Sequence, residues 1–180
     1  MIDYQAVIDK YYPAGDPARD IYMRHAESVA GEALAIVRNR HLPLDEATVM
    51  AAAMLHDIGI CRTDAPGIHC HGSEPYLAHG VAGAAILRAE GIPEEIASVA
   101  ERHTGAGLTA GDVEASGLPI PVRDYCPRTL LEKLVCYADK FWSKSGSMER
   151  KTLDRVRASM AKWGGYSAGR FEELHRQFGQ

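Results

Sequence analysis

Residues 51–62, AAAMLHDIGICR, carry an apolar helical run into a histidine, an aspartate and a glycine. Aspartate is a poor helix-interior residue. An ionised carboxylate beside an Ala/Met/Leu surface is costly unless a cation pairs with it. His56–Asp57 therefore either ends a helix in water or faces a positive charge. Upstream, Pro43 breaks the chain and Asp45 is placed to cap the helix, which the pattern carries to about Ile58 before Gly59.

Helical spacing continues on both sides. Residues 3–12 form a short amphipathic segment that stops at Pro13 and Gly15. From Pro17 to Arg40, Ile21, Val29, Ala33, Ile36 and Val37 recur on one face. Further helices are predicted over 79–90, closed by Gly91, over 93–103, closed by Gly105, and over 127–144, opened by Pro127. Shorter ones follow near 148–163 and 167–178. The Gly-, Pro- and His-rich stretch 62–78 reads as a loop, and 104–127 as a long excursion with at most one helical turn. No segment alternates convincingly as a strand. The expected fold is all-α: a single compact helical bundle forming one domain over 1–180. Its motif-bearing core covers about 17–145, with C-terminal helices over 148–178.

The 180 residues are 46% hydrophobic and 24% charged, ordinary for a globular chain large enough to need no staples. A net charge of −4 supplies no global basic field, so neither a nucleic-acid nor a membrane partner is expected. The basic run RKTLDRVR near residue 150 has Glu149 and Asp154 beside it and reads as a solvated helix face. Cys61, Cys70, Cys126 and Cys136 show no CxxC spacing, which suits free thiols inside a cell. The N-terminal segment lacks the pattern of a signal peptide, and no apolar run approaches the ~18 residues of a membrane span. A cytoplasmic location is expected.

Four of the eight histidines occupy equivalent places. His25 lies on the stripe of Val29, Ala33 and Ile36; His56 continues that of Val49, Ala52 and Ala53. His79 begins the stripe of Ala82, Gly83 and Ile86; His103 ends that of Ile96, Val99 and Ala100. Asp139 repeats the pattern, with Leu131, Val135, Cys136 and Trp142 as face neighbours. One inward histidine is more often a hydrogen-bonded core residue than a ligand. Asp139 alone could pair with an arginine, and Asp57 alone could be a loop residue. Four inward histidines and two inward aspartates on five helices share a more economical explanation: one or two divalent cations where their ends converge. Imidazole with carboxylate suits Fe, Mn, Zn or Co rather than Ca or Mg. His41 and His175 sit in polar surroundings. Cys61, His69, Cys70 and His71 match no closed zinc-site spacing.

In this order, His25, His56–Asp57 and Asp139 resemble the metal-dependent phosphohydrolases of the HD-domain superfamily, and His56–Asp57–Ile58–Gly59 resembles the motif of the HDIG subgroup. The resemblance runs from His25 to Trp142, about two-thirds of the chain. His79 in AHGVAGAAIL and His103 in AERHTGAGLT resemble the added histidines of members that bind two metals. There is no GYP motif, and Ile60 stands where a lysine often follows HDIG, with Arg62 two places on.

The resemblance implies a phosphohydrolase acting on a nucleotide or related small phosphoester through a metal-activated water. Asp57 would bridge two cations, with His25, His56 and Asp139 on one and His79 and His103 on the other. Lys140, Arg62 and Arg24 are the candidate phosphate clamps, and the loops 62–78 and 104–127 the candidate caps. Two alternatives share the ligand set: a di-iron oxygenase, and a non-catalytic nucleotide-binding module. Oligomeric state is not legible.

Overall fold

The computed structural model describes residues 2–146, 148–162 and 165–179. The predicted end of the 148–163 helix at Trp163 and the chain ends at Met1 and Gln180 lie outside the described residues. Short polar side chains start most of the helices. Asp3 accepts from Ala6 N to open α1 (Tyr4–Tyr11). Asp16, with Pro17 in the first turn, opens α2 (Pro17–Arg40), which ends where His41 turns left-handed at φ 51°. Asp45 caps α3 (Glu46–Leu55), and Thr109 and Asp112 form a reciprocal capping box on α6 (Ala110–Ala115). Between them lie α4 (His79–Ala89) and α5 (Glu94–Arg102). Thr129 caps α7 (Leu130–Asp139); α8 (Leu153–Lys162) and α9 (Gly165–Phe178) follow.

Three departures from the expected elements matter. The helix after Asp45 stops at Leu55, not Ile58, and the chain continues as a 3-10 turn over Ile58–Arg62. The helix expected over 127–144 is shorter at both ends: Thr129 is its cap, and beyond Asp139 the amides of Lys140, Phe141 and Trp142 bond three residues back. The loop 62–78 contains a small antiparallel hairpin, β1 (Asp64–Ala65) with β2 (Cys70–His71), where no strand was expected. Two-residue strands are too short to show alternation.

The core runs from Ile8 and Tyr12 of α1, through Val29 and Ile36 of α2 and Val49 and Leu55 of α3, to Phe171 and Phe178 of α9. The long excursion is ordered by a core of its own, Leu108, Val113 and Tyr125, with Val81, Leu118 and Ile120 packed on it. A buried acid fixes the start of α7. Glu132 is 2% exposed and accepts from Arg102 Nη1 at 3.0 and 3.1 Å and from the Arg128 amide at 2.7 Å. Glu132→Ala leaves the largely covered Arg102 guanidinium without its acid, so urea denaturation should show a loss of about 3 kcal/mol.

Candidate metal centre

Five elements converge on one buried spot. His25 projects from the middle of α2, Asp139 ends α7, and His56 and Asp57 sit where α3 gives way to the 3-10 turn. His79 begins α4 after a 3-10 turn over Tyr76–Ala78, and His103 caps the end of α5. All six are buried.

Three of the imidazoles are oriented by one device. His56 Nδ1 meets Ala53 O at 2.6 Å, His79 Nδ1 meets Tyr76 O at 2.7 Å, and His103 Nδ1 meets Ala100 O at 2.8 Å. Each acceptor is a carbonyl three residues back, in the turn of helix that ends just before its histidine. A carbonyl only accepts, so Nδ1 carries a proton in all three. In His79 and His103 Nε2 presents its lone pair inward. In His56 burial is overcome by Asp57 and Asp139, which raise it to about 9, so that its Nε2 holds a proton that a metal ion would displace. This is the arrangement by which protein imidazoles are set as metal ligands.

The inward atoms fall into two groups that share Asp57. His25 Nε2 and His56 Nε2 both lie 3.1 Å from Asp57 Oδ2, and they stand 3.1 and 3.6 Å from Asp139 Oδ1. Asp57 Oδ1 faces the other pair, 3.2 Å from His103 Nε2 and 3.6 Å from His79 Nε2. In each group the donor atoms lie within 4.8 Å of one another, a spacing that a single ion can span.

The fit to a cation rests on what these atoms lack. Among the described residues, His25 Nε2, His56 Nε2 and both Asp57 oxygens have no aligned hydrogen-bond partner. His79 Nε2 and His103 Nε2 face each other at 3.0 Å. Burial pushes His79 down to about 3 and lowers His103 too, so both are neutral and two bare lone pairs confront one another. Buried polar atoms left unpaired cost about 1–3 kcal/mol each. A divalent ion in each group removes the deficit, and imidazole with carboxylate is a suitable donor set.

The structure also shows what answers the acids. Lys144 Nζ is 2.7 Å from Asp57 Oδ2, and Lys140 Nζ is 2.7 Å from Asp139 Oδ2 and 2.9 Å from His103 O. Burial alone would raise the Asp57 and Asp139 carboxyls. His56 and Lys144 beside Asp57, and Lys140 and Lys144 beside Asp139, outweigh it and hold both well below the usual carboxylate range.

A cavity of about 490 Å³ opens onto this cluster, lined by His79, His103 and Asp139 and by Lys140, Lys144 and Lys151. Of the expected clamps, only Lys140 lines it. Arg24 and Arg62 are exposed and outside its wall; Arg24 is one position from His25, which is about 100° around the helix. Of the two expected caps, the loop 62–78 contributes Ala65, Gly67, Ile68, Tyr76 and Leu77, whereas the excursion 104–127 contributes only Thr104 and Gly105. Residues 142–145, Lys151, Ser159 and Met160 complete the lining, and the sequence pattern does not mark them. His69 and His71 are exposed, and with Cys61 and Cys70 they form no metal-suited group among the described residues.

Comparison with known proteins sets this geometry in a family. The chain is 37% identical over 136 residues to a tRNA (cytidine(56)-2'-O)-methyltransferase of Picrophilus torridus, covering 76% of the chain and 36% of that protein. It is 35% identical over 175 residues to the protein of the same name from Thermoplasma volcanium, covering 97% and 46%. An uncharacterised protein of Methanocaldococcus jannaschii is 45% identical over 103 residues, covering 57% and 53%. The chain thus spans only about a third to a half of the length of these relatives. Two relatives named for tRNA overturn the expectation that nucleic acid is excluded: net charge describes the chain as a whole and is silent on a partner recognised locally. No described helix is long and apolar enough to cross a membrane.

Among solved structures, the HD domain of the Listeria monocytogenes phosphodiesterase PgpH superposes with a TM-score of 0.56 at 18% identity, covering 96% of this chain and 88% of that one. That likeness establishes the helical architecture. The family model described as the HD domain matches residues 22–142, the span that holds His25, His56–Asp57, His79, His103 and Asp139. The chain belongs to the HD-domain family.

Proposed function

We propose that this chain is a metal-dependent phosphohydrolase that cleaves a phosphoester of a nucleotide, and that the whole chain is one unit built around that site. The observation that carries the reading is the pair of bare imidazole nitrogens, His79 Nε2 and His103 Nε2, 3.0 Å apart beside an Asp57 carboxylate whose oxygens accept no aligned hydrogen bond. A protein that needed these six residues only for packing would pair them with each other or replace them with hydrocarbon. His25, His56, Asp57 and Asp139 would hold one ion, and Asp57, His79 and His103 a second, of Fe, Mn, Zn or Co. Such ions acidify water toward neutral pH and neutralise phosphoryl oxygens.

The chain's own residues supply the remainder. Ala53, Tyr76 and Ala100 hold three imidazoles by their Nδ1 protons. His79 and His103, which burial keeps neutral, need lose no proton from Nε2 on binding, while His56 gives one up. Lys140 presents an ammonium at the cavity wall, beside the cluster, for the substrate's phosphate. Tyr76 and Ile68 give the cavity an apolar side for the organic part of a substrate. Phosphoryl transfer needs little beyond this positioning and charge stabilisation.

The names of two relatives favour RNA as one source of the phosphoester. The methyl transfer in those names belongs to proteins more than twice this chain's matched length. The test is hydrolysis by protein loaded in turn with Mn, Fe, Zn and Co, against nucleotides, dinucleoside polyphosphates, cyclic dinucleotides and tRNA with either end phosphorylated. Phosphate or nucleotide release well above a blank is expected for at least one substrate. Absence of release from all of them with every metal overturns the proposal.

A further inference from the structure

The geometry points to a three-amine anion site formed by Lys140, Lys144 and Lys151, matched to a phosphate carrying two or more negative charges rather than to the single charge of a phosphodiester. This rests on the reading of the cluster as a metal centre, and it narrows the substrate to a phosphomonoester or the end of a polyphosphate.

The three lysines differ in how their charge is answered. Lys144 and Lys140 each lie 2.7 Å from an acid of the cluster, Asp57 and Asp139. Lys151 has no carboxylate within ion-pairing distance among the described residues. Its Nζ donates only to backbone carbonyls, Lys140 O at 3.3 Å and Trp142 O at 3.1 Å, while its amide is held by Phe141 O at 2.8 Å. It is half-buried, and that burial pulls its ammonium below the ordinary lysine value. An amine desolvated against neutral acceptors gains more from an arriving anion than a surface lysine does.

The charge balance then decides the class of anion. Two carboxylates already face three ammoniums around this cavity. A divalent ion held by Asp57 and Asp139 would neutralise the acids that now answer Lys144 and Lys140, and would leave both amines on the cavity wall for an anion. The resulting excess of positive charge exceeds what one diester oxygen can balance. Ser143 and Ser145 lie on the same segment as neutral donors. A dianionic phosphate uses these groups; a monoanion leaves part of them unanswered, at the cost of buried unpaired charge.

Titration calorimetry on Mn-loaded protein tests this without turnover, with inorganic phosphate and dimethyl phosphate as probes. Inorganic phosphate is expected to bind at least about tenfold more tightly, a difference of ~1.4 kcal/mol. Lys151→Met and Lys144→Met should each weaken phosphate about tenfold, the scale of one charge-assisted hydrogen bond, and shift dimethyl phosphate less than about threefold. Lys151→Gln carries the same measurement if the methionine variant does not fold. Equal affinity for the two anions, or phosphate binding untouched by both lysine substitutions, overturns the inference. Hydrolysis that persists with equal affinities sinks this inference alone. Phosphate discrimination without hydrolysis of any substrate sinks the proposed function and leaves the anion site standing.

Discussion

Asp57→Asn is expected to abolish hydrolysis, lowering kcat/KM by roughly 10⁴-fold or more, as loss of a group shared by a whole catalytic unit does. Asp57 is the one residue whose two oxygens face different donor groups, Oδ2 toward His25 and His56 and Oδ1 toward His79 and His103. Its carboxylate is therefore required by both ions, whereas each histidine serves one. Asparagine keeps the shape but supplies one neutral oxygen and an NH₂ that cannot ligate. The loss should appear in metal binding as well as in rate. Metal at a hundred times its Kd stabilises a folded protein by about 2.7 kcal/mol. For a chain of this size that corresponds to a rise in Tm of roughly 5–10 °C. The wild type should show this rise with Mn or Zn and lose it with a chelator; Asp57→Asn should show almost none. In metal-free buffer the variant should itself melt below the wild type, because asparagine leaves the largely covered Lys144 ammonium, 2.7 Å from Asp57 Oδ2, without its acid. The metal-induced rise is therefore read against each protein's own metal-free midpoint. A variant that loses its rate yet keeps the full metal-induced shift would show that Asp57 is not a shared ligand.

The sequence exposes this centre more fully than the cavity around it. His25, His56, His79, His103 and Asp139 each sit on an apolar stripe of a helix, and such stripes are legible because the helical period is fixed. The bounds of α2 coincide with those expected, since Asp16–Pro17 and the polar exit at Arg40 mark both ends. Lys144 and Lys151 carry no comparable mark. Each is a lysine in a polar stretch, and what turns it inward is the chain's departure from helical geometry after Asp139. Had α7 continued to residue 144, Lys144 would lie five positions on from Asp139, about 140° around the helix from it. The tight turns at Lys140, Phe141 and Trp142 bring it back to Asp57 instead. Arg24 and Arg62 illustrate the converse: closeness in sequence to His25 and His56 places neither at the cavity. The excursion 104–127 hides its order for a third reason, because Leu108, Val113 and Tyr125 are too widely spaced to form a periodic pattern.

Gly59→Ala is expected to be strongly destabilising. A Cβ at this position would stand 2.1 Å from His79 O, 2.2 Å from Gly83 N and 2.7 Å from Gly83 Cα. All three are backbone atoms, so no side-chain rotation relieves the clash, and the 3-10 turn must separate from α4. Overpacking against yielding side chains costs about 1–3 kcal/mol; against two rigid backbones the loss should reach at least the upper end of that range. The neighbour across the contact is also small: a Cβ on Gly83 would meet Gly59 N at 3.2 Å and Ile58 Cγ2 at 3.5 Å. The glycine of the His-Asp-Ile-Gly run thus sets the distance between the elements that carry Asp57 and His79. Separating them pulls His79 from His103 and Asp57, so metal affinity should fall with stability, about 10-fold or more, as it does when ligand orientation is lost. Gly31→Ala is the control. It adds the same methyl in the exposed interior of α2, with nothing within 4 Å, and should stabilise the protein by about 0.5–1 kcal/mol. Urea titrations of the two variants should therefore move in opposite directions from the wild type. If Gly59→Ala shifts the midpoint no more than Gly31→Ala does, the close approach of the two backbones is not what the motif's glycine is for.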